Sequence, residues 1–172
     1  MLAIKLLTAA DLSCLKQIRQ QALEEEPQAY GQTLIEFFEQ GDAYAFEAEN
    51  GVVGAFDGDR LLGMLGFYVK NSEKQRHKLY LWGLYVAGES RGQGIGRSLI
   101  HYVGAFVAKD SIRQILVHVI VPNEALLGFY NSCGFELMSS ESDAYFFEGK
   151  SWEQVLLVRP VVASAAKQLG IP

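Results

Sequence analysis

Between a strand-like and a helix-like segment the chain reads Arg91-Gly92-Gln93-Gly94-Ile95-Gly96-Arg97. Alternate glycines let the backbone approach a ligand closely. A helix that starts at such a turn adds unpaired N–H groups and the positive end of its dipole. The combination suits a phosphate or pyrophosphate, and spacing narrows which kind. A nucleoside-triphosphate loop needs Gly-x-x-x-x-Gly-Lys-Ser/Thr, and no lysine follows these glycines in register. A dinucleotide fingerprint needs glycine where Arg97 stands and an acidic residue at the end of a following strand, about 20 residues on. The sequence provides neither. Two arginines flanking three glycines are also more than a turn made for geometry alone requires.

The elements that must position this turn follow from hydrophobic periodicity. Residues 3–7 read as a strand, and Thr8 with Asp11 caps a helix in which Leu12, Leu15, Ile18, Ala22 and Leu23 share a face. That helix ends before Pro27, and residues 33–40 form a second, short helix stopped by Gly41. Residues 52–56 and 61–69 flank Asp57-Gly58-Asp59, a hairpin signal. Residues 71–78 are a polar loop, and 79–87 form a third long strand interrupted by Gly83, where an interior glycine marks a bulge or a close backbone approach. A helix over 94–110 follows, with Ile95, Leu99, Val103, Phe106 and Val107 on one face. Residues 115–121 are an apolar, β-branched run that fits a buried strand, broken only by His118. A helix over 123–133 with Gly134 as its left-handed cap comes next, then strands over 135–138 and 152–158. Residues 161–172 read as a short helix or tail after a single domain over 1–160. The fold class is α+β: a mixed, mostly antiparallel seven-stranded sheet with four helices on its faces.

Composition bounds the partners. The 172 residues are 49% hydrophobic and 20% charged, a globular balance with enough chain to bury a core. A net charge of −5 and a pI near 5.2 argue against DNA or RNA as partner, since no basic surface is left to neutralise phosphates. No segment approaches the ~18 apolar residues of a membrane span. Residues 1–7 are too short for a signal peptide, so the cytoplasm is the expected compartment. Cys14 and Cys133 lack a metal-ligand spacing and read as reduced packing thiols.

Leu84-Tyr85-Val86 followed by Arg91-x-x-Gly94-x-Gly96 resembles the acetyl-CoA signature Gln/Arg-x-x-Gly-x-Gly/Ala of the GNAT acetyltransferase superfamily. A second stretch, with Asn123, Ala125, Tyr130, Gly134 and Phe135, resembles that superfamily's downstream strand, Asn, helix, Tyr and Gly-Phe motif. The element order from 3 to 158 is similar to the family fold, in which a bulge splays the strand at Gly83 from its parallel neighbour and opens a V-shaped slot. The resemblance implies acetyl-CoA as co-substrate. Backbone N–H groups around Gly92, Gln93, Gly94, Ile95, Gly96, Arg97 and Ser98, with Arg91, would hold its pyrophosphate. The edge at Leu84, Tyr85 and Val86 would pair with its pantetheine amides, and Asn123 would bond the same arm, cap its own helix, or do both.

Acetyl transfer to an amine needs a neutral nucleophile and a proton for the departing thiolate. Deprotonating an alkyl amine of pKa ~10.4 at pH 7 costs about 4.6 kcal/mol, and an α-amine of pKa ~8 only ~1.4 kcal/mol. His118, largely neutral at pH 7, is the candidate base, standing where family members that acetylate a ribosomal protein's N-terminus carry glutamate; the alternative is a core histidine bonded to backbone or water. Tyr130, two helical turns after Asn123, is the candidate acid, with an aromatic core residue beside Phe129 as the alternative. His77 and His101 fit solvent or helix-surface positions. Glu26 and Tyr30 lie where the family places its acceptor wall, and the net charge favours a cationic amine. The expected function is direct transfer from acetyl-CoA to a primary amine of a small molecule, polyamines included, by a monomer or homodimer. The rivals are acetylation of a protein N-terminus or lysine, and a non-catalytic acyl-CoA-binding module.

Overall fold

The computed structural model describes residues 1–44, 46–107 and 111–161. Among them run β1 (Leu2–Leu6), α1 (Leu12–Glu25), α2 (Leu34–Gln40), β2 (Asn50–Asp57), β3 (Arg60–Val69), β4 (Lys78–Val86), α3 (Ile95–Val107), β5 (Gln114–Val121), α4 (Glu124–Ser132), β6 (Glu136–Phe147) and β7 (Lys150–Pro160). One seven-stranded sheet takes the order β1-β2-β3-β4-β5-β7-β6. Every neighbouring pair is antiparallel except β4–β5, which is parallel.

Local chemistry sets the boundaries. The Asp11 carboxylate accepts from the Thr8 N–H at 2.9 Å and from Lys5 at 2.7 Å, fixing the turn that starts α1. At α2 the Thr33 hydroxyl accepts from the Glu36 N–H at 3.2 Å while the Glu36 carboxylate accepts from the Thr33 N–H at 2.7 Å, and Gly41 at φ 62° ends the helix. Gly58 at φ 59° turns β2 into β3.

Side-chain alternation divides the apolar residues into two cores. On one face Leu15, Ile18 and Ala22 of α1 pack on Val52, Met64 and Tyr85; on the other Ile95, Leu99 and Val103 of α3 pack on Val53, Leu65, Leu81 and Val117. Each such fully buried aliphatic side chain contributes roughly 1.5–3 kcal/mol.

The end of the sheet departs from expectation. Strands foreseen over 135–138 and 152–158 are instead a long hairpin, β6 and β7, turning at Glu148 and Gly149 with φ 51° and 72°. Most of β6 is exposed and polar, so no alternation announces it. Its ladder to β7 holds it in place, with register shifts at Leu137/Ser139 and Glu141/Tyr145. The last residues of the helix foreseen over 94–110, and residues 162–172 of the foreseen tail, lie outside the described residues. No described helix is long and apolar enough to cross a membrane.

Candidate active site

The parallel pair is joined only from Lys78 to Leu81 against Gln114 to Val117. Beyond it, Gly83 at φ 62° and Leu84 together oppose the single residue Leu65 of β3, a bulge at the position the sequence marks. The extra residue reverses the alternation of β4. Trp82 and Tyr85 therefore pack toward α1, while Leu84 and Val86 pack toward α3 and α4. Ala87 N–H still bonds the Leu62 carbonyl at 2.9 Å, so the intervening Leu84 and Val86 direct their main-chain polar groups away from β3, into the gap. The gap is a slot of about 320 Å3, lined by Trp82, Leu84, His118, Asn123, Phe129 and Tyr130 among others.

A second cleft, of about 330 Å3, shares Leu84, Val86, Arg91 and Phe129 with the slot and runs along the glycine turn. Gly92 and Gly94 sit at φ 76° and 79°, and a Cβ on either would meet nothing within 4 Å. Both positions are left-handed and open, which is the shape of a cradle for a ligand against bare backbone. Ser98 N–H makes the first intrahelical bond, to the Gly94 carbonyl at 3.0 Å. The N–H groups of Ile95, Gly96 and Arg97 precede it and have no intrahelical acceptor. Ser98 N–H is thus already spent, and Ile95, its side chain 2% exposed in the core, has only backbone to offer. Gly96 has Phe129 of α4 3.2 Å from its would-be Cβ.

The arginines of the turn are tied down. Arg97 donates to the Ser132 carbonyl at 2.9 Å and its hydroxyl at 3.0 Å, linking α3 to the end of α4. Arg91 donates from Nε to the Val86 carbonyl at 2.9 Å and pairs with Glu26 at 2.7 Å. Its guanidinium also stands 5.5 Å from the Tyr85 ring, whose hydroxyl donates to Glu25 at 2.5 Å. Burial opposes the charge of Arg91, and Glu26 more than restores it, so its pKa is raised. Gln93 donates to the Glu89 carbonyl at 3.4 Å. The two residues foreseen for different ligands, Arg91 and Glu26, are therefore one ion pair at the slot mouth.

Two proton-handling groups face the slot. His118 is the exposed residue of β5, between buried Val117 and Val119, so the strand is not buried throughout as expected. It stacks 6.4 Å from Tyr80, itself 5.1 Å from Tyr68. Partial burial, with Lys70 adding to it against Glu141, lowers its pKa and favours the neutral ring. Tyr130, 3% exposed, packs edge-on to Phe129 and Phe135. Burial raises its pKa, so it keeps its proton. Asn123 caps α4 by accepting from Leu126 N–H at 3.1 Å and also lines the slot, so its two readings are compatible. Tyr30 donates to the Leu84 carbonyl at 3.0 Å from the α1–α2 loop.

Sequence reasoning passed over two contributors. Arg19, 5% exposed, stacks 4.6 Å from the Tyr30 ring and bonds Gln32 at 3.1 Å, which holds the loop over the slot. Its signal was available, since it adjoins Ile18 on the buried face of α1. Trp82 lies so close to Gly66 that a Cβ there would come within 1.9 Å of its ring. Among the described residues no cluster of His, Cys, Asp and Glu could hold a metal ion.

Comparison with known proteins places this geometry. A model of the acetyltransferase (GNAT) family matches residues 14–135. The chain is similar to a probable N-acetyltransferase, san, of Drosophila melanogaster, 29% identical over 92 residues, 53% of this chain and 50% of that one. N-alpha-acetyltransferase 50 of Danio rerio matches equally, over 54% of its length. The chain thus spans about half the length of these curated relatives. Among solved structures, a GNAT-family acetyltransferase from Streptococcus pneumoniae superposes with a TM-score of 0.77 at 19% identity, covering 94% of this chain and all of that one. A ribosomal-protein-alanine N-acetyltransferase from Brucella melitensis gives 0.75 at 21%, covering 92% and 99%.

Proposed function

We propose, starting from the fact that the chain belongs to the GNAT acetyltransferase family, that it moves the acetyl group of acetyl-CoA directly onto a primary amine. The observation that carries this is the parting of β4 and β5 beside an open glycine turn. Leu84 and Val86 would bond the extended pantetheine arm chiefly through their N–H groups, since their carbonyls already accept from Tyr30 and Arg91, and the N–H groups of the turn and of the start of α3 would hold the pyrophosphate.

Acetyl-CoA supplies an acyl group activated as a thioester. The chain's residues handle protons on both sides of it. His118 takes the proton that the amine loses as its nitrogen bonds the carbonyl carbon, and Tyr130 donates its O–H to the sulfur as the C–S bond breaks. Tyr130 keeps that proton because burial raises its pKa; His118 is free to accept because burial lowers its own. Neither Cys14 nor Cys133 lines the slot, which supports direct transfer in a ternary complex over an acyl-enzyme.

The test is calorimetric binding of acetyl-CoA together with thiol release in the presence of amines. Micromolar binding and amine-dependent release are expected; absence of binding would overturn the proposal. A second reading, in which the acceptor is a protein N-terminus, draws support from the names of the relatives in Danio rerio and Brucella melitensis. Peptides assayed beside free amines separate the two.

A further inference from the structure

We infer that the acceptor is a primary amine whose carbon skeleton carries an aromatic or branched aliphatic group, rather than a polyamine. The inference rests on the acetyl-transfer reading of the slot and deepens it.

A cavity of about 510 Å3 adjoins the slot, and Tyr30 lines both. Leu23, Ile35, Ile120, Phe146 and Trp152 form its apolar walls. Strand geometry fixes its alignment with the chemistry. His118 and Ile120 are two residues apart on β5 and share a face, about 7 Å from one another. Gln154 lies opposite Ile120 across the β5–β7 ladder, and Trp152 follows two residues along the same face. An amine nitrogen at His118 thus places the rest of its molecule over Ile120 and toward Trp152.

The mouth of the cavity spends exposed apolar surface from two sides. Ile35 of α2 is 71% exposed and Phe146 of β6 is 75% exposed, and both line the cavity. An apolar body seated between them removes that surface from water. Two carboxylates line the cavity, Glu36 and Glu148, and both are exposed. The buried cation of Arg19 stands behind Tyr30. Further ammonium groups of a polyamine laid along the apolar walls would lose hydration there and find a counter-charge only at those exposed carboxylates. A single ammonium entering the same walls gives up its proton more readily, which lightens the task of His118.

The experiment uses the full chain with acetyl-CoA and follows thiol release with 2-phenylethylamine, 3-methylbutylamine, spermidine and the tripeptide Phe-Gly-Gly. At least tenfold higher kcat/KM is expected for the first two over spermidine; equal or better use of spermidine overturns the inference while leaving acetyl transfer standing. A peptide used tenfold better than 2-phenylethylamine supports the apolar acceptor and assigns it to a chain N-terminus. Phe146→Glu, at an exposed site, is expected to raise the KM for 2-phenylethylamine about tenfold at unchanged Tm and unchanged KM for acetyl-CoA; an unmoved amine KM overturns the inference. Should no amine release thiol, titration of tryptophan fluorescence with 2-phenylethylamine decides: a change lost in Phe146→Glu keeps the apolar site and removes catalysis, and no change overturns both.

Discussion

On the α3–α4 side of the slot, the surface proposed to hold acetyl-CoA is almost entirely backbone: left-handed glycines, the first N–H groups of a helix, and the parted edge of β4. On the α1–α2 side the wall is made of side chains from separated segments: the stretch 27–36 with Tyr30 and Ile35, Ile120, and the 145–152 hairpin. The first surface depends on conformation and tolerates few residue types. The second depends on packing, and its selectivity is open to substitution without loss of fold. The comparison separates what a carrier common to many reactions requires from what a particular acceptor requires.

The difference makes graded predictions. Gly94→Val forces a β-branched residue to φ 79° and should lower acetyl-CoA affinity at least a hundredfold by calorimetry, leaving 2-phenylethylamine binding intact. If both ligands fail together, the two sides are not independent. Tyr130→Phe removes the proton donor but little volume, so kcat should fall about a hundredfold in steady-state assays with the KM for acetyl-CoA little changed.

His118→Gln should cost about tenfold in kcat/KM for a good acceptor and remove the acid limb of its pH profile. In the unaltered protein that limb should have its midpoint below 6.5, because a lowered pKa keeps the ring neutral at more acidic pH. A limb unchanged by the substitution would take the base role from His118. Gly66→Ala pushes into Trp82, and an overpacking loss of about 1–3 kcal/mol in chemical denaturation is expected. Smallest is Glu26→Gln. It breaks an ion pair whose partners are both partly exposed, so stability should shift by less than ~1 kcal/mol and acetyl-CoA affinity by less than about threefold.

Legibility in the sequence follows the same divide. The carrier side is local: the glycine turn, Gly83 and the Asn123 to Phe135 stretch each lie within a dozen or so residues, so their residue types and the family resemblance they carry are visible in one dimension. The four helices and most of the strands were readable for the same reason, since those elements carry their own periodicity or cap, whereas the parted parallel pair came from the family resemblance and the order of strands in the sheet was not readable. The acceptor side is assembled across the chain. Glu26 and Tyr30 were expected there, and the structure puts Tyr30 on the cavity and Glu26 on the slot; the aromatic residues of β6 were not foreseen, because an exposed edge strand carries no alternation and is held by its ladder to β7. The engagement of Arg91 with Glu26, and of Ser98 N–H with Gly94, are facts of three-dimensional proximity and helix hydrogen bonding that residue types do not announce. Arg19 was missed although a cation next to Ile18 on an apolar face is visible in one dimension.

The bulge at Gly83 works by counting. Because two residues of β4 face one of β3, everything downstream of it has its inside and outside exchanged. Deleting Gly83 alone, with each side chain kept, would leave a regular ladder: Leu84 would oppose Leu65 and Tyr85 would oppose Met64, each on the face it occupies now, and the pairing with β5 would be free to run on past Leu81. The wedge in this sheet is a matter of arithmetic, one residue's worth, and any insertion or deletion between Trp82 and Val86 edits it more deeply than a substitution would.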